Sequence, residues 1–302
     1  MSGIDLHTHS TASDGTQAPA TVMAAAREAG LDVVALTDHD TAHGWPEAAA
    51  AAARSGVVLV RGMEISCSRH GRSIHLLGYL VDPDHPGLAA EIGHAREARV
   101  SRLRRMVEKM SADGIGITYA DVVAQVPEGA TEGRPHIADA LVANGIVATR
   151  DEAFRQWLAN DSPYYVRHYA PDPVDAVRLV VEAGGVAVHA HPFGRSRGTG
   201  AGEAVIEEMS AAGLSGLEVD HRDHDAAARA HGHALAERFG LLVTGSSDYH
   251  GAGKENRLGL FVTGSSDYHG DGKENRLGEN TTAPEVLAEI ESRASGVVPV
   301  LR

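Results

Sequence analysis

Cysteine is nearly missing from this chain: Cys67 stands alone among 302 residues. That excludes an intramolecular disulfide and fits a reducing, cytoplasmic setting. A chain this long can bury a sizeable core without disulfides. Long apolar runs are missing too. None approaches the ~18–20 residues of a membrane span, and the alanine stretch from Ala48 to Ala53 suits a helix instead. No basic-then-apolar segment precedes the first motif, so no signal peptide is expected. Positive charge is scarce, with 27 Lys and Arg against 41 Asp and Glu and a formal net charge of −14. Stable binding to nucleic acid, which draws on phosphate neutralisation, is therefore not expected. A small phosphorylated substrate is compatible, because bound metal ions add positive charge that the formal count omits.

What the chain does have is eighteen histidines. Many stand beside Asp or Glu just after an apolar run. Asp5-Leu6-His7-Thr8-His9 begins the series, and Asp14-Gly15 follows. On a strand, His7 and His9 face one side, about 6–7 Å apart. One metal ion can bridge that span.

From residue 3 to about 80, strands and helices alternate. Helices are expected over Pro19 to Ala29 and Trp45 to Arg54. Apolar strands end at Asp38-His39-Asp40 and at Gly62-Met63-Glu64, and Ser73 to Tyr79 alternates around His75. Polar residues gathered at the C-terminal ends of strands place a site at one end of a parallel sheet or barrel. Residues 87–165 read instead as an inserted helical cap between barrel segments 1–86 and 166–302. Its first helix carries Arg96, Arg99, Arg102, Arg104 and Arg105, which are expected to form a solvated face. The α/β rhythm returns after Pro171. It delivers His189 and His191, then Asp220 to His224, then Asp248-Tyr249-His250.

Residues 241–259 recur as 260–278, changed only at Leu242/Phe261 and Ala252/Asp271. One copy of a 19-residue unit is a tandem duplication, not a solenoid period. It offers Asp248 and His250 or Asp267 and His269 as ligands. The first pair is favoured, because its strand follows the preceding helix through a short connection; the second copy would loop out, where insertion costs little. The second pair has its own argument, since Gly278-Glu279-Asn280 leads directly to the last helix.

His7, His9, Asp14, His39, Glu64, His75, His191, Asp248 and His250 thus form one predicted constellation. His/Asp/Glu sites without cysteine suit Zn, Mn or Fe. Nine ligands suit two or three divalent ions. Such a site makes hydroxide near neutral pH and clamps the oxygens of an in-line displacement. His70, His85, His94, His168, His231 and His233 are read as structural.

Five motifs occur in order: His7-Thr8-His9-Ser10 with Ser13-Asp14-Gly15, Leu36 to Thr41, Gly62-Met63-Glu64, Ala190-His191-Pro192 and Gly245 to His250. Together they resemble the PHP (polymerase and histidinol phosphatase) phosphoesterases. The resemblance implies an α/β fold, a distorted (β/α)7 barrel with a trinuclear metal site. His7, His9, Glu64 and Asp248 would hold one ion; Glu64, His75 and His191 a second; Asp14, His39 and His250 a third. The helical insertion and Gly133-Arg134-Pro135-His136 resemble the branch that removes the 3′-phosphate of 3′,5′-bisphosphonucleotides and trims short 5′-phosphorylated RNA. There Arg134 would grip a phosphate, with His136 nearby. A metal-bridging hydroxide would attack phosphorus, and Asp40, His224 or a metal-bound water would protonate the leaving group. Another phosphomonoester, such as histidinol phosphate, is the alternative substrate. A metal-binding protein inactivated by its duplication is the alternative of another class.

Overall fold

The computed structural model describes residues 3–194, 202–251, 277–278 and 280–297. Seven strands form one sheet in the order β1 to β7: Gly3–Asp5, Leu31–Leu36, Val58–Arg69, Arg72–Tyr79, Val186–His189, Gly216–Asp220 and Leu242–Gly245. Pairing is parallel except at β4, which runs antiparallel to β3 and β5. Among the described residues the sheet does not close by continuous pairing of its edges. Just beyond β1 and β7, Thr8 and Tyr249 form one parallel bridge, and the His9 N–H donates to Tyr249 O at 2.7 Å. The barrel reading is consistent with this curled, nearly closed sheet.

The helices follow from apolar spacing. In α1 (Pro19–Glu28) the buried residues are Pro19, Val22, Met23 and Ala26, one stripe of a 3.6-residue period. Proline at the first turn costs no hydrogen bond there. α2 (Trp45–Ser55) buries Trp45, Ala48, Ala51 and Ala52 and stops at Gly56, whose φ of 72° is left-handed. β2 is apolar on both faces, as a covered parallel strand must be. Val34 and Leu36 join Val22, Met23 and Trp45 in one cluster, whereas Val33 and Ala35 join Ile4, Leu6 and Tyr79 in another.

α3 (Pro86–Ala112), α4 (Tyr119–Val123), α5 (Arg134–Ala143) and α6 (Arg150–Ala153), with a π-helical turn at Phe154–Leu158, follow β4. They have their own apolar cluster, which includes Leu103, Met106, Met110, Ile137, Leu141 and Leu158. α7 (Pro173–Glu182), α8 (Glu203–Ala211), α9 (Ala226–Phe239) and α10 (Pro284–Arg293) complete the fold. Leu287 and Ile290 of α10 pack into the cluster containing Ile4 and Tyr79. No helix among the described residues is long and apolar enough to cross a membrane.

Three expectations change. The third strand does not end at Glu64 but runs to Arg69, because it continues as a hairpin with β4 through His70-Gly71, both at positive φ. A left-handed pair of this kind matches the twist of a two-residue hairpin turn. Because β4 is antiparallel, His75 reaches the site from the strand's first half. The basic face of α3 is also not wholly solvated, since Arg102 is buried and the Arg99 side chain is only 11 % exposed. Asp267, His269 and most of the second copy lie outside the described residues.

Candidate metal centre

The strand ends and the loops after them carry the polar residues to one rim. His7, His9, Glu64, His75, His191, Asp248 and His250 are all buried there, beside His39 and Asp14. Two local features set the first pair. The Asp38 carboxylate accepts from Ser10 N–H and Ser10 Oγ, both at 2.7 Å, and from Ser13 Oγ at 2.6 Å, which folds the His9–Asp14 loop onto the end of β2. Gly15 is required because a Cβ there would lie 2.7 Å from the His9 carbonyl oxygen.

Glu64 is the hub. Its Oε2 lies 3.2 Å from His7 Nε2, 3.1 Å from His9 Nε2 and 3.3 Å from His39 Nδ1. Its Oε1 lies 2.5 Å from His75 Nδ1 and 3.1 Å from His191 Nε2. On the other side, Asp248 Oδ1 is 3.5 Å from His7 Nε2 and 3.3 Å from His9 Nε2. Asp14 Oδ1 is 3.5 Å from His250 Nε2, and the His250 ring stacks on His9 at 4.2 Å. Ligand atoms within 4.8 Å of one another fall into four overlapping groups: His9, Asp14, His39 and His250; His7, His9 and Asp248; His39, Glu64 and His75; and His7, His191 and Glu218.

The charges are strongly coupled. Burial opposes a charge on His7, but Glu64, Glu218 and Asp248 outweigh it and hold the imidazole well above its ordinary range. For His9, burial is again the largest influence, yet hydrogen bonds to Asp248 and Glu64 prevail and lift it to about 9. Burial also works against the Glu64 carboxylate, and the charges of His39, His75 and His7 reverse that, holding it well below the carboxylate range. Around His39 burial wins, and its value falls.

These residues fit divalent cations. Imidazole nitrogens and carboxylate oxygens converge without sulfur, and no lysine or arginine pairs with Glu64 among the described residues. His9 Nδ1 is buried with no hydrogen-bond partner, a cost that a cation ligand would remove.

A pocket opens beside this cluster. Asp14 and His39 line it together with Arg99, Arg102, Arg134 and Phe154. Arg134 is braced, its Nη1 donating to Leu158 O at 2.8 Å and to Asn160 Oδ1 at 2.7 Å. Its guanidinium carbon also sits 5.7 Å from the Phe154 ring centroid. His136 is turned inward; its Nδ1 accepts the Gly133 N–H at 3.0 Å and so closes the start of α5.

Neither expected proton donor lines this pocket. Asp40 Oδ1 accepts from Ser66 N–H at 2.9 Å, and its Oδ2 lies 2.8 Å from Arg99 Nη2. His224 Nδ1 donates to Val219 O at 2.8 Å while its Nε2 accepts from Phe193 N–H at 3.1 Å. In this arrangement both hold backbone or a neighbouring side chain. His221, three residues before His224, does reach the cluster, with Nε2 3.6 Å from Asp248 Oδ2. Glu218 is absent from the expected site residues, and Arg99 and Arg102, expected on a solvated face, line the pocket instead. For Glu218 a signal existed, a carboxylate in the middle of the short apolar strand Gly216–Asp220.

The model of the PHP domain matches residues 5–140. A 3′,5′-nucleoside bisphosphate phosphatase of Chromobacterium violaceum is 38% identical over 250 residues, 82% of this chain and 87% of that protein. A 5′-3′ exoribonuclease of Haemophilus influenzae is 35% identical, over 71% of this chain and 78% of its own. Among solved structures, a metal-dependent phosphoesterase of Bifidobacterium adolescentis superposes with a TM-score of 0.87 at 39% identity, covering 97% of each chain. With the rim of histidines and carboxylates on the same strand ends that carry the five motifs, the chain belongs to the PHP family of metal-dependent phosphoesterases.

Proposed function

We propose that this enzyme removes the 3′-phosphate of 3′,5′-bisphosphonucleotides and also accepts short 5′-phosphorylated RNA. The observation that carries this reading is a single pocket lined both by cluster residues and by arginines. Asp14 and His39 of the cluster face it beside three arginines, Arg99, Arg102 and Arg134. A substrate with a second phosphate would use both kinds of residue: one phosphate at the cluster, the other among guanidinium groups, whose planar fork suits phosphate oxygens. The named activities of the C. violaceum and H. influenzae relatives support this choice.

We assign His7, His9, Asp14, His39, Glu64, His75, His191, Asp248 and His250 as ligands of two to three divalent ions, with Mn, Zn or Fe suited to the donor set. Bound ions supply Lewis-acid activation of water and neutralise charge on the phosphoryl group. The chain's own residues do the rest. Arg134, fixed by Leu158 O and Asn160, orients the distal phosphate. Phe154 and the helices 87–165 cap the pocket and exclude water. The first copy of the duplicated segment serves as the working one, supported by Asp248 and His250 at the rim. A single, buried cysteine suits the cytoplasm.

A panel of 3′,5′-bisphosphoadenosine, a 5′-phosphorylated oligoribonucleotide and histidinol phosphate, run with metal analysis of the protein, tests the reading. Preferred turnover of the first two, with two to three ions per chain, supports it. Preference for histidinol phosphate overturns the substrate assignment. No metal and no turnover leave a protein inactivated by its duplication.

A further inference from the structure

Glu218 lies at the centre of β6, wholly buried, and faces no lysine or arginine among the described residues. Buried carboxylates are costly unless they are hydrogen-bonded. Here three bonds come from three strand ends at once. Oε1 accepts from His7 Nδ1 at 3.0 Å and from the Ser246 hydroxyl. Oε2 accepts from the His191 backbone N–H at 2.7 Å. That contact meets a residue with φ of 30°, a backbone conformation that needs outside support.

An imidazole in its neutral form carries one proton. A carboxylate at Nδ1 fixes that proton there and leaves Nε2 as a bare electron pair. His7 Nε2 is the atom that points at the cluster, 3.0 Å from His9 Nε2, 3.2 Å from Glu64 Oε2 and 3.5 Å from Asp248 Oδ1. Glu218 therefore sits on the far side of His7 from the place where ligand atoms converge. Although it also falls within one convergent group, with His7 and His191, both its oxygens already accept hydrogen bonds.

We propose that Glu218 is a positioning residue that fixes the tautomer and aim of His7 and the backbone at His191, and so sets the metal affinity of the site. This rests on the metal-ligand assignment above. One group serves two ligands from separate strands, so β1, β5 and β7 enter metal binding as a unit. Glutamine cannot replace it. With its oxygen toward His7, its NH2 opposes the His191 N–H, two donors face to face. With its oxygen toward His191, its NH2 forces His7 Nδ1 to accept, which moves the proton to Nε2.

The test compares wild type with Glu218→Gln by titration with zinc in a metal buffer, with circular dichroism and thermal melting of both metal-free proteins as the folding control. The expected result is a loss of about 10–100-fold in zinc affinity with the fold retained. Equal affinity in a folded variant overturns the proposal. Long-range ¹H–¹⁵N spectra of the histidine rings in zinc-loaded wild type give a second measurement that needs no variant. The proposal requires the His7 proton on Nδ1, and a proton on Nε2 overturns it even if Glu218→Gln does not fold. Failure of the metal reading looks different, because wild type itself then takes up no zinc and the proposal falls with it.

Discussion

Arg99 Nη2 lies 2.8 Å from Asp40 Oδ2, a buried ion pair that joins α3 of the helical segment to the end of β2. The same Arg99 nitrogen donates to Ser66 Oγ, and Asp40 is held at a φ of 51°. Arg99 lines the pocket while Asp40 does not. Asp40→Asn keeps an acceptor for Ser66 N–H but leaves Arg99 without its counter-charge. Breaking a buried pair in this way should cost on the order of 3 kcal/mol, read by denaturant unfolding. KM should rise more than kcat falls. A collapse of kcat at unchanged KM would instead support Asp40 as the proton donor.

Glu64 touches five histidines, so its charge holds the cluster together. Glu64→Gln should remove most bound metal and lower kcat by on the order of 10³-fold. Metal analysis beside single-turnover rates checks this. Full activity in a metal-depleted variant contradicts the assignment.

The duplicated segment yields a paired prediction. Asp248→Ala removes a carboxylate 3.3 Å from His9 Nε2 and should lose metal and activity together. Asp267→Ala, outside the described residues, should match wild type in both. The reverse pattern would show that the second copy is the working one.

Asp5 links stability to pH. Burial raises its carboxyl from 3.8 to about 6, against hydrogen bonds from Ser247, Gly278 and His7 that pull it down. The folded chain therefore binds this proton more tightly than the unfolded chain. Its contribution is full below pH 3.8 and is lost as pH rises through about 6. The loss is about 3 kcal/mol for a shift of this size. Asp5→Asn cannot ionise. The stability of metal-free Asp5→Asn relative to wild type should thus improve between about pH 4 and pH 7, measured by urea unfolding. A pH-independent difference rejects the coupling.

The amino-acid order alone determined the strand–helix alternation and the ligand-type residues of the rim. Both are local signals: the stripe Val22, Met23 and Ala26 declares a helix, and His7-Thr8-His9 places two imidazoles on one face of an extended chain. What only the tertiary structure decided is pairwise and long-range. No local pattern shows that β4 turns back, because hairpin or crossover depends on which neighbour it pairs with; so His75 arrives from the opposite end of its strand. Nor does spacing show that Arg99 and Arg102 turn inward from a helix rich in arginine, since the groups that receive them lie on other elements. Glu218 is the clearest case. Alone it is one carboxylate in a strand of five residues, and it acquires meaning only when folding places His7, 211 residues away, against it.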